Sequence, residues 1–197
     1  MKRLAAVALL TASLARAQPA SETVWDFEAR LDDRPIGTHR FVVRGPAAQR
    51  EVDSRARFDV RLLGIVVYRY RHEAQERWEG DCLRALQSRT DDDGTPLQVE
   101  LQRPAEADCV MSFAYWHPRL STQTRLLNPQ TGRLEEVRFE RQPDATIGVR
   151  GNEVAATPWR LTTATQDLTV WRARADGAWV GLDARVRGGR LLTYRLR

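Results

Sequence analysis

The sequence predicts an all-β protein, an antiparallel meander bent into a curved half-barrel or a closed barrel, with one irregular or short helical crossing segment. Three observations predict it. Apolar and polar residues alternate with period two along much of the chain, turn-forming residues interrupt that alternation at short intervals, and almost no stretch shows the 3.6 period of an amphipathic helix.

Taken in order, the first residues, MKRLAAVALLTASLARAQ, have the three parts of a secretory signal. Lys2 and Arg3 form a positive start, Leu4 to Leu14 an apolar run, and Ala15-Arg16-Ala17 a small-x-small cleavage pattern. Residues 1–17 are therefore expected to be a signal peptide cleaved after Ala17, and 18–197 a single β domain located in the periplasm. The apolar run is about eleven residues, short of the roughly 20 that a helix needs to span a bilayer. The first cysteine is Cys82, so no lipid-accepting cysteine follows the cleavage site, and no later stretch is long and apolar enough to be a transmembrane segment.

The strands follow. Trp25, Phe27, Ala29 and Leu31 alternate with polar residues, and Asp32-Asp33-Arg34-Pro35 supplies a turn. His39 shares a side with Phe41 and Val43 on the next strand. From Val52 to Leu62 the alternation is strict: Val52, Ala56, Phe58, Val60 and Leu62 on one face, Asp53, Arg55, Arg57, Asp59 and Arg61 on the other. One face on a core and one in water is the expected reading. Tyr68, Tyr70 and His72 continue the pattern. Asp91-Asp92-Asp93-Gly94, Asn128-Pro129-Gln130-Thr131-Gly132, Asp176-Gly177 and Gly188-Gly189 are further turns, and Val137 and Phe139, then Leu192, Tyr194 and Leu196, alternate again. Roughly ten to twelve strands in close succession favour antiparallel hairpins over βαβ units. Cys109 to Leu127 breaks the alternation and is the crossing segment. A long meander with one wet face must curl to bury the other, and curling also protects its edges.

Charge narrows the partners. The formal net charge is +5, and loss of Lys2, Arg3 and Arg16 with the signal leaves +2. The remaining bases are arginines that alternate with acids instead of clustering, which argues against a nucleic-acid partner. His39, His72 and His117 show no metal-ligand spacing, and no nucleotide-binding loop or serine-nucleophile elbow is present, so neither a metal nor a cofactor is expected. In an oxidising compartment Cys82 and Cys109 are candidates for a disulfide. The rival reading makes Cys109 a nucleophile with His117 as base, against which Asp108 would disfavour the thiolate.

Two segments carry the candidate ligand-binding residues. Tyr68-Arg69-Tyr70-Arg71-His72-Glu73-Ala74-Gln75-Glu76-Arg77-Trp78 interleaves aromatics, bases and two carboxylates. Tyr68, Tyr70, His72, Glu76 and Trp78 would form a polar and aromatic cluster at a cavity mouth; the plainer alternative is two neighbouring strands with Arg–Glu pairs across them. An acid/base role would require Glu73 or Glu76 in a dry site. Phe113-Ala114-Tyr115-Trp116-His117-Pro118 is either a core plug or a lip over a cavity, with Phe113, Tyr115 and Trp116 gripping an apolar ligand.

At Cys109-Val110-Met111-Ser112-Phe113-Ala114-Tyr115-Trp116 and Leu126-Leu127-Asn128-Pro129-Gln130-Thr131-Gly132 the chain resembles an exported family of Gram-negative bacteria described as a domain of unknown function (6134 type). The resemblance extends to Tyr68-Arg69-Tyr70, Glu76-Arg77-Trp78 and Trp179-Val180-Gly181-Leu182, and so covers nearly all of the chain after the signal. It implies family membership and brings no activity or catalytic residues. More loosely, the plan is similar to lipoprotein-carrier-like half-barrels. The expectation is a non-enzymatic periplasmic protein that holds a lipid-like or other apolar small molecule in a β cavity. The alternative is a module that scaffolds another envelope protein, and a third is an enzyme using Glu73, Glu76, His72 or Cys109.

Overall fold

The computed structural model describes residues 21–197. The expected signal peptide and its cleavage site lie outside the described residues. Period-two patterning becomes strand wherever a neighbour is available to pair. β1 (Glu22–Leu31), β2 (Arg34–Arg44), β3 (Gln49–Leu62), β4 (Ile65–Glu79), β5 (Cys82–Asp92) and β6 (Thr95–Gln102) form one continuous antiparallel meander. A second meander, β12 (Asn152–Thr162), β13 (Asp167–Ala173), β14 (Trp179–Arg185) and β15 (Leu191–Leu196), joins the first where β15 pairs with β1. β10 (Arg138–Arg141) and β11 (Ala145–Val149) pair in turn along β12, completing a sheet of twelve strands.

The sheet does not close: β6 ends one side and β10 with β11 the other. Of the two expected shapes the open half-barrel is therefore the one adopted. Tight contact between β2 and β3 depends on Gly37, whose φ of 152° suits glycine and whose missing side chain leaves room for the Arg57 carbonyl.

The crossing segment contains a single 3₁₀ turn, Leu120–Thr122, and contributes to a small separate sheet. In that sheet β7 (Met111–Ser112) runs parallel to β8 (Arg125–Leu127), and β8 pairs antiparallel with β9 (Leu134–Glu136). Its apolar residues belong to the same core as the large sheet. Val110, Met111, Phe113, Ala114, Trp116, Leu120, Leu126, Leu127 and Val137 pack with Phe27, Phe41, Phe58, Trp78, Leu83, Leu86 and Trp179. The segment thus fills the hollow of the half-barrel. A smaller cluster of Ile147, Ala156, Ala173 and Val180 lies where β11 meets β12 to β14. Among the described residues no helix is long and apolar enough to cross a membrane.

Two expectations need correction. Tyr68 to Trp78 is not two neighbouring strands but one, since all of it lies in the 15-residue β4. Leu62 does not share the burial of Val52, Ala56 and Phe58: a register shift follows Val60, β3 pairs with β2 only as far as Phe58, and Leu62 is 59% exposed.

Candidate functional site

Alternation along β4 places Tyr68, Tyr70, His72, Ala74, Glu76 and Trp78 in one row on the concave side, with Arg69, Glu73, Gln75 and Arg77 facing out. Glu73 meets Arg57 of β3 at 3.8 Å on the outside, a pair to a strand beyond the segment, whereas Glu76 points inward and takes no part in such pairing.

The row divides into two parts. At its lower end Trp78 is fully buried, its ring 5.4 Å edge-on from Trp116 and 5.9 Å from the nearly parallel ring of His117. Its indole Nε1–H donates to Glu76 Oε2 at 2.8 Å, and Ser112 also hydrogen-bonds this carboxyl. Burial pushes the Glu76 carboxyl up to about 6, and the bonds from Ser112 and Trp78 oppose that shift. Phe113 and Trp116 are buried alongside, and the Arg50 guanidinium lies 5.5 Å from the Trp116 ring centre. The upper end is more open. Tyr68 donates its hydroxyl to Asp92 Oδ1 at 2.6 Å, and half-buried Tyr70 stacks on Phe58 at 5.4 Å. Tyr115 of the crossing segment packs 5.4 Å from Trp179 and meets the Phe113 ring at 6.3 Å. Trp78 and Trp116 therefore come together, Phe113 and Tyr115 meet edge-on, and Tyr68 stands apart at the other end of the row.

Cys82 and Cys109 are disulfide-bonded, with Cα atoms 4.9 Å apart. This overturns the nucleophile reading of Cys109, because its sulfur carries no thiolate. His117 is held separately. Its Nδ1 accepts the Arg119 backbone N–H at 3.2 Å, which leaves the ring proton on Nε2, 3.2 Å from Asp81 Oδ1. Burial lowers the pKa of His117, and the Asp81 charge opposes this. Arg172 fixes the same turn by donating to the carbonyls of Tyr115 and His117 at 2.9 and 2.6 Å.

A second polar cluster escaped the sequence reading. His72 Nδ1 meets Thr90 Oγ1 at 2.8 Å, His39 Nε2 meets Ser54 Oγ at 2.8 Å, and His39 Nδ1 meets the Tyr194 hydroxyl at 3.3 Å. Four strands other than β4 supply these partners. Burial drives His72 down to about 4 and His39 well below its ordinary value, so both rings are neutral near pH 7. Inward alternation on β3 and β5 would have pointed to Ser54 and Thr90, but only the strand register shows which residues meet.

Chemically the concave side offers aromatic packing, neutral imidazoles and one carboxyl shifted into the range of a general acid. These groups are engaged with one another. Two shallow depressions lie elsewhere, across the outward side of β3 to β6. One, of about 310 Å³, is lined by Glu51, Asp53, Gln75, Arg77, Gln87 and Gln102. The other, of about 480 Å³, reaches Arg89, Gln98 and Glu100. Among the described residues no group of three or more His, Cys, Asp or Glu side chains is placed to hold a metal ion.

The sequence model of the family described as "Domain of unknown function (DUF6134)" matches residues 27–197. No curated protein sequence matches the chain.

Proposed function

We propose, for this chain that belongs to the DUF6134 family, a role as a non-enzymatic interaction module of the cell envelope, one that receives an extended segment of a partner protein along the free edge of β6. The observation that carries this reading is the filled hollow. Trp116, Phe113, Met111, Leu120 and Leu126 occupy the side of the sheet on which an apolar ligand would otherwise sit. What the sheet leaves free is its edge. Among the described residues β6 pairs on one side only, with β5, and its other side presents backbone donors and acceptors that an added strand would satisfy. Gln98, Glu100 and Gln102 on β6 belong to the polar depressions of the outward face, which suit a peptide better than an acyl chain. The export expected from residues 1–17 supports the envelope as the place of action.

The test is crosslinking in envelope extracts followed by size-exclusion chromatography. The wild type is expected to co-elute with a defined protein, and a Gln98→Lys/Glu100→Lys double variant to lose it with unchanged thermal stability. Lysines on an edge strand are a natural block to strand addition, and exposed substitutions of this kind change stability by about 0.5 kcal/mol at most. Retention of the same partner by the variant would remove β6 from the reading.

A second reading places a lipid-like molecule at the upper end of the concave row, and one observation favours it: Tyr68 and Tyr70 are only half-buried there, whereas Trp78 below them is sealed. Native mass spectrometry of the gently purified protein distinguishes the two. A discrete added mass that extracts as lipid supports the second reading, and a clean mass of the protein alone supports the first.

A further inference from the structure

The least expected surface in the molecule is the tip of the β3–β4 hairpin. Among the described residues, beyond Phe58 on β3 and beyond Arg69 on β4, whose carbonyl accepts the Asp93 N–H at 2.8 Å, the two strands pair with each other and with no other strand. The Val60↔Tyr68, Arg61↔Val66 and Leu62↔Ile65 pairs form a two-stranded ribbon at the end of the hairpin. Such ribbons are marginal in water unless a face is covered.

This one carries its apolar residues outermost. Leu62, Leu63, Ile65 and Val67 are 59%, 95%, 70% and 52% exposed. The turn is costly in a second way. Leu63 sits at φ 50° ahead of Gly64, a conformation that favours Asn, Asp or Gly. The β1–β2 and β5–β6 turns at the same end use Asp32-Asp33 and Asp93-Gly94 for it. A leucine there is unfavourable in both hydration and conformation.

Charge indicates what would cover the tip. From Val60 to His72 the chain carries Arg61, Arg69 and Arg71 and no carboxylate. Asp59, at the root of the ribbon, is bound by Arg71 at 2.7 Å, with Arg69 at 3.5 Å. The neighbouring turn carries three carboxylates, Asp91, Asp92 and Asp93, which accept from the Gly94 N–H, the Tyr68 hydroxyl and the Arg69 N–H and lie back from the tip, level with Arg71, Tyr70 and Arg69. An apolar point with an arginine collar matches a surface that is apolar inside and anionic at its rim.

The geometry points to insertion of the Leu62–Val67 tip into an anionic lipid surface, with Arg61 and Arg69 at the headgroups. The tip is convex and consists of four side chains, well below the roughly 800 Å² per partner of a stable protein interface. A deformable bilayer surface accepts such a point. This contact is separate from the β6 edge, so either can fail without the other.

The test uses the full mature chain with vesicles of phosphatidylcholine alone or mixed with phosphatidylglycerol. Sedimentation with the mixed vesicles is expected, with binding about tenfold or more weaker on pure phosphatidylcholine or at high salt. A Leu63→Asp/Ile65→Asp variant is expected to lose binding while keeping its unfolding midpoint, and the Gln98→Lys/Glu100→Lys variant to keep binding. A Leu63→Trp variant serves as reporter, and its difference emission against wild type should shift to the blue on mixed vesicles. Equal binding by the double-aspartate variant, or reporter emission that stays at its value in water, overturns the inference. So does a lipid-free dimer that the double-aspartate substitution dissolves, since the tip would then be covered by a second copy.

Discussion

Glu76 shows most clearly how one residue can be read twice. By type and position among Arg69, Arg71 and Arg77 it resembles a surface partner, yet alternation with Tyr70, His72 and Trp78 sends it into the core. Its folded pKa of about 6 lies above the ordinary 4.5. A raised carboxyl pKa means that the folded state holds the proton more tightly. The associated stability is therefore fully present below about pH 4.5 and is lost as the pH rises through about 6. Glu76→Gln, which keeps the shape of the protonated acid, should be more stable than wild type by about 2 kcal/mol at pH 8. Urea denaturation across pH should show that gap closing on acidification; a gap that widens would mean that the carboxylate is the favoured form. His72 has the opposite sign. Its pKa falls from 6.5 to about 4 on folding, so its contribution is present above pH 6.5 and lost as the pH falls through about 4. His72→Gln should flatten this acid limb by about 3 kcal/mol in the same titration. His39, also lowered by burial, acts in the same direction.

At the level of elements, what could be read from the sequence was whatever repeats with period two. The strands from Trp25 to Leu31 and from Val52 to Phe58, and the row from Tyr68 to Trp78, all follow from alternation, and the Asp93-Gly94 and Asp176-Gly177 turns from their residue types. The β3–β4 turn could not be read, because Leu62-Leu63-Gly64-Ile65-Val66-Val67 has the composition of a buried strand and occupies an exposed tip. Nor could the small sheet: β7 to β9 span two or three residues each, too short for any period, and the parallel β7–β8 pair joins segments separated by a 3₁₀ turn. Its placement depends on tertiary anchors. The Cys82–Cys109 bond ties the crossing segment to the start of β5, and the Leu83 N–H to Val110 carbonyl bond at 2.8 Å extends that tie. The sequence separation of 27 implies that Cys82→Ser/Cys109→Ser loses about 3–4 kcal/mol, within the chain-entropy account. Denaturation with and without dithiothreitol checks this: reduced wild type should match the double serine variant. A loss below about 1 kcal/mol would mean that packing of Trp116 and Phe113 holds the segment without the bond.

For the whole molecule, the decisive question is whether the crossing segment is a fixed part of the core or a movable stopper. The topology favours the first. β15 pairs with β1, so the last strand lies in the middle of the sheet and the two meanders cannot separate without breaking that ladder. The stopper has no core of its own, since Met111, Phe113, Trp116 and Leu126 share one cluster with residues of β1 to β5, β13 and β14. Trp78 and Trp116 lie on opposite sides of this junction, and Trp179 contacts Tyr115 across it. Tryptophan fluorescence therefore reports the docking of the segment, while far-ultraviolet circular dichroism reports the sheet. A single cooperative unit predicts that the two signals change with the same midpoint in both heat and urea. An interaction module with a filled hollow requires that coincidence. If fluorescence moved first, with the strand signal still intact, the segment would be able to leave the half-barrel while the sheet stood. The hollow would then be available to a lipid-like ligand after all, and Tyr70, His72 and Glu76 would line it.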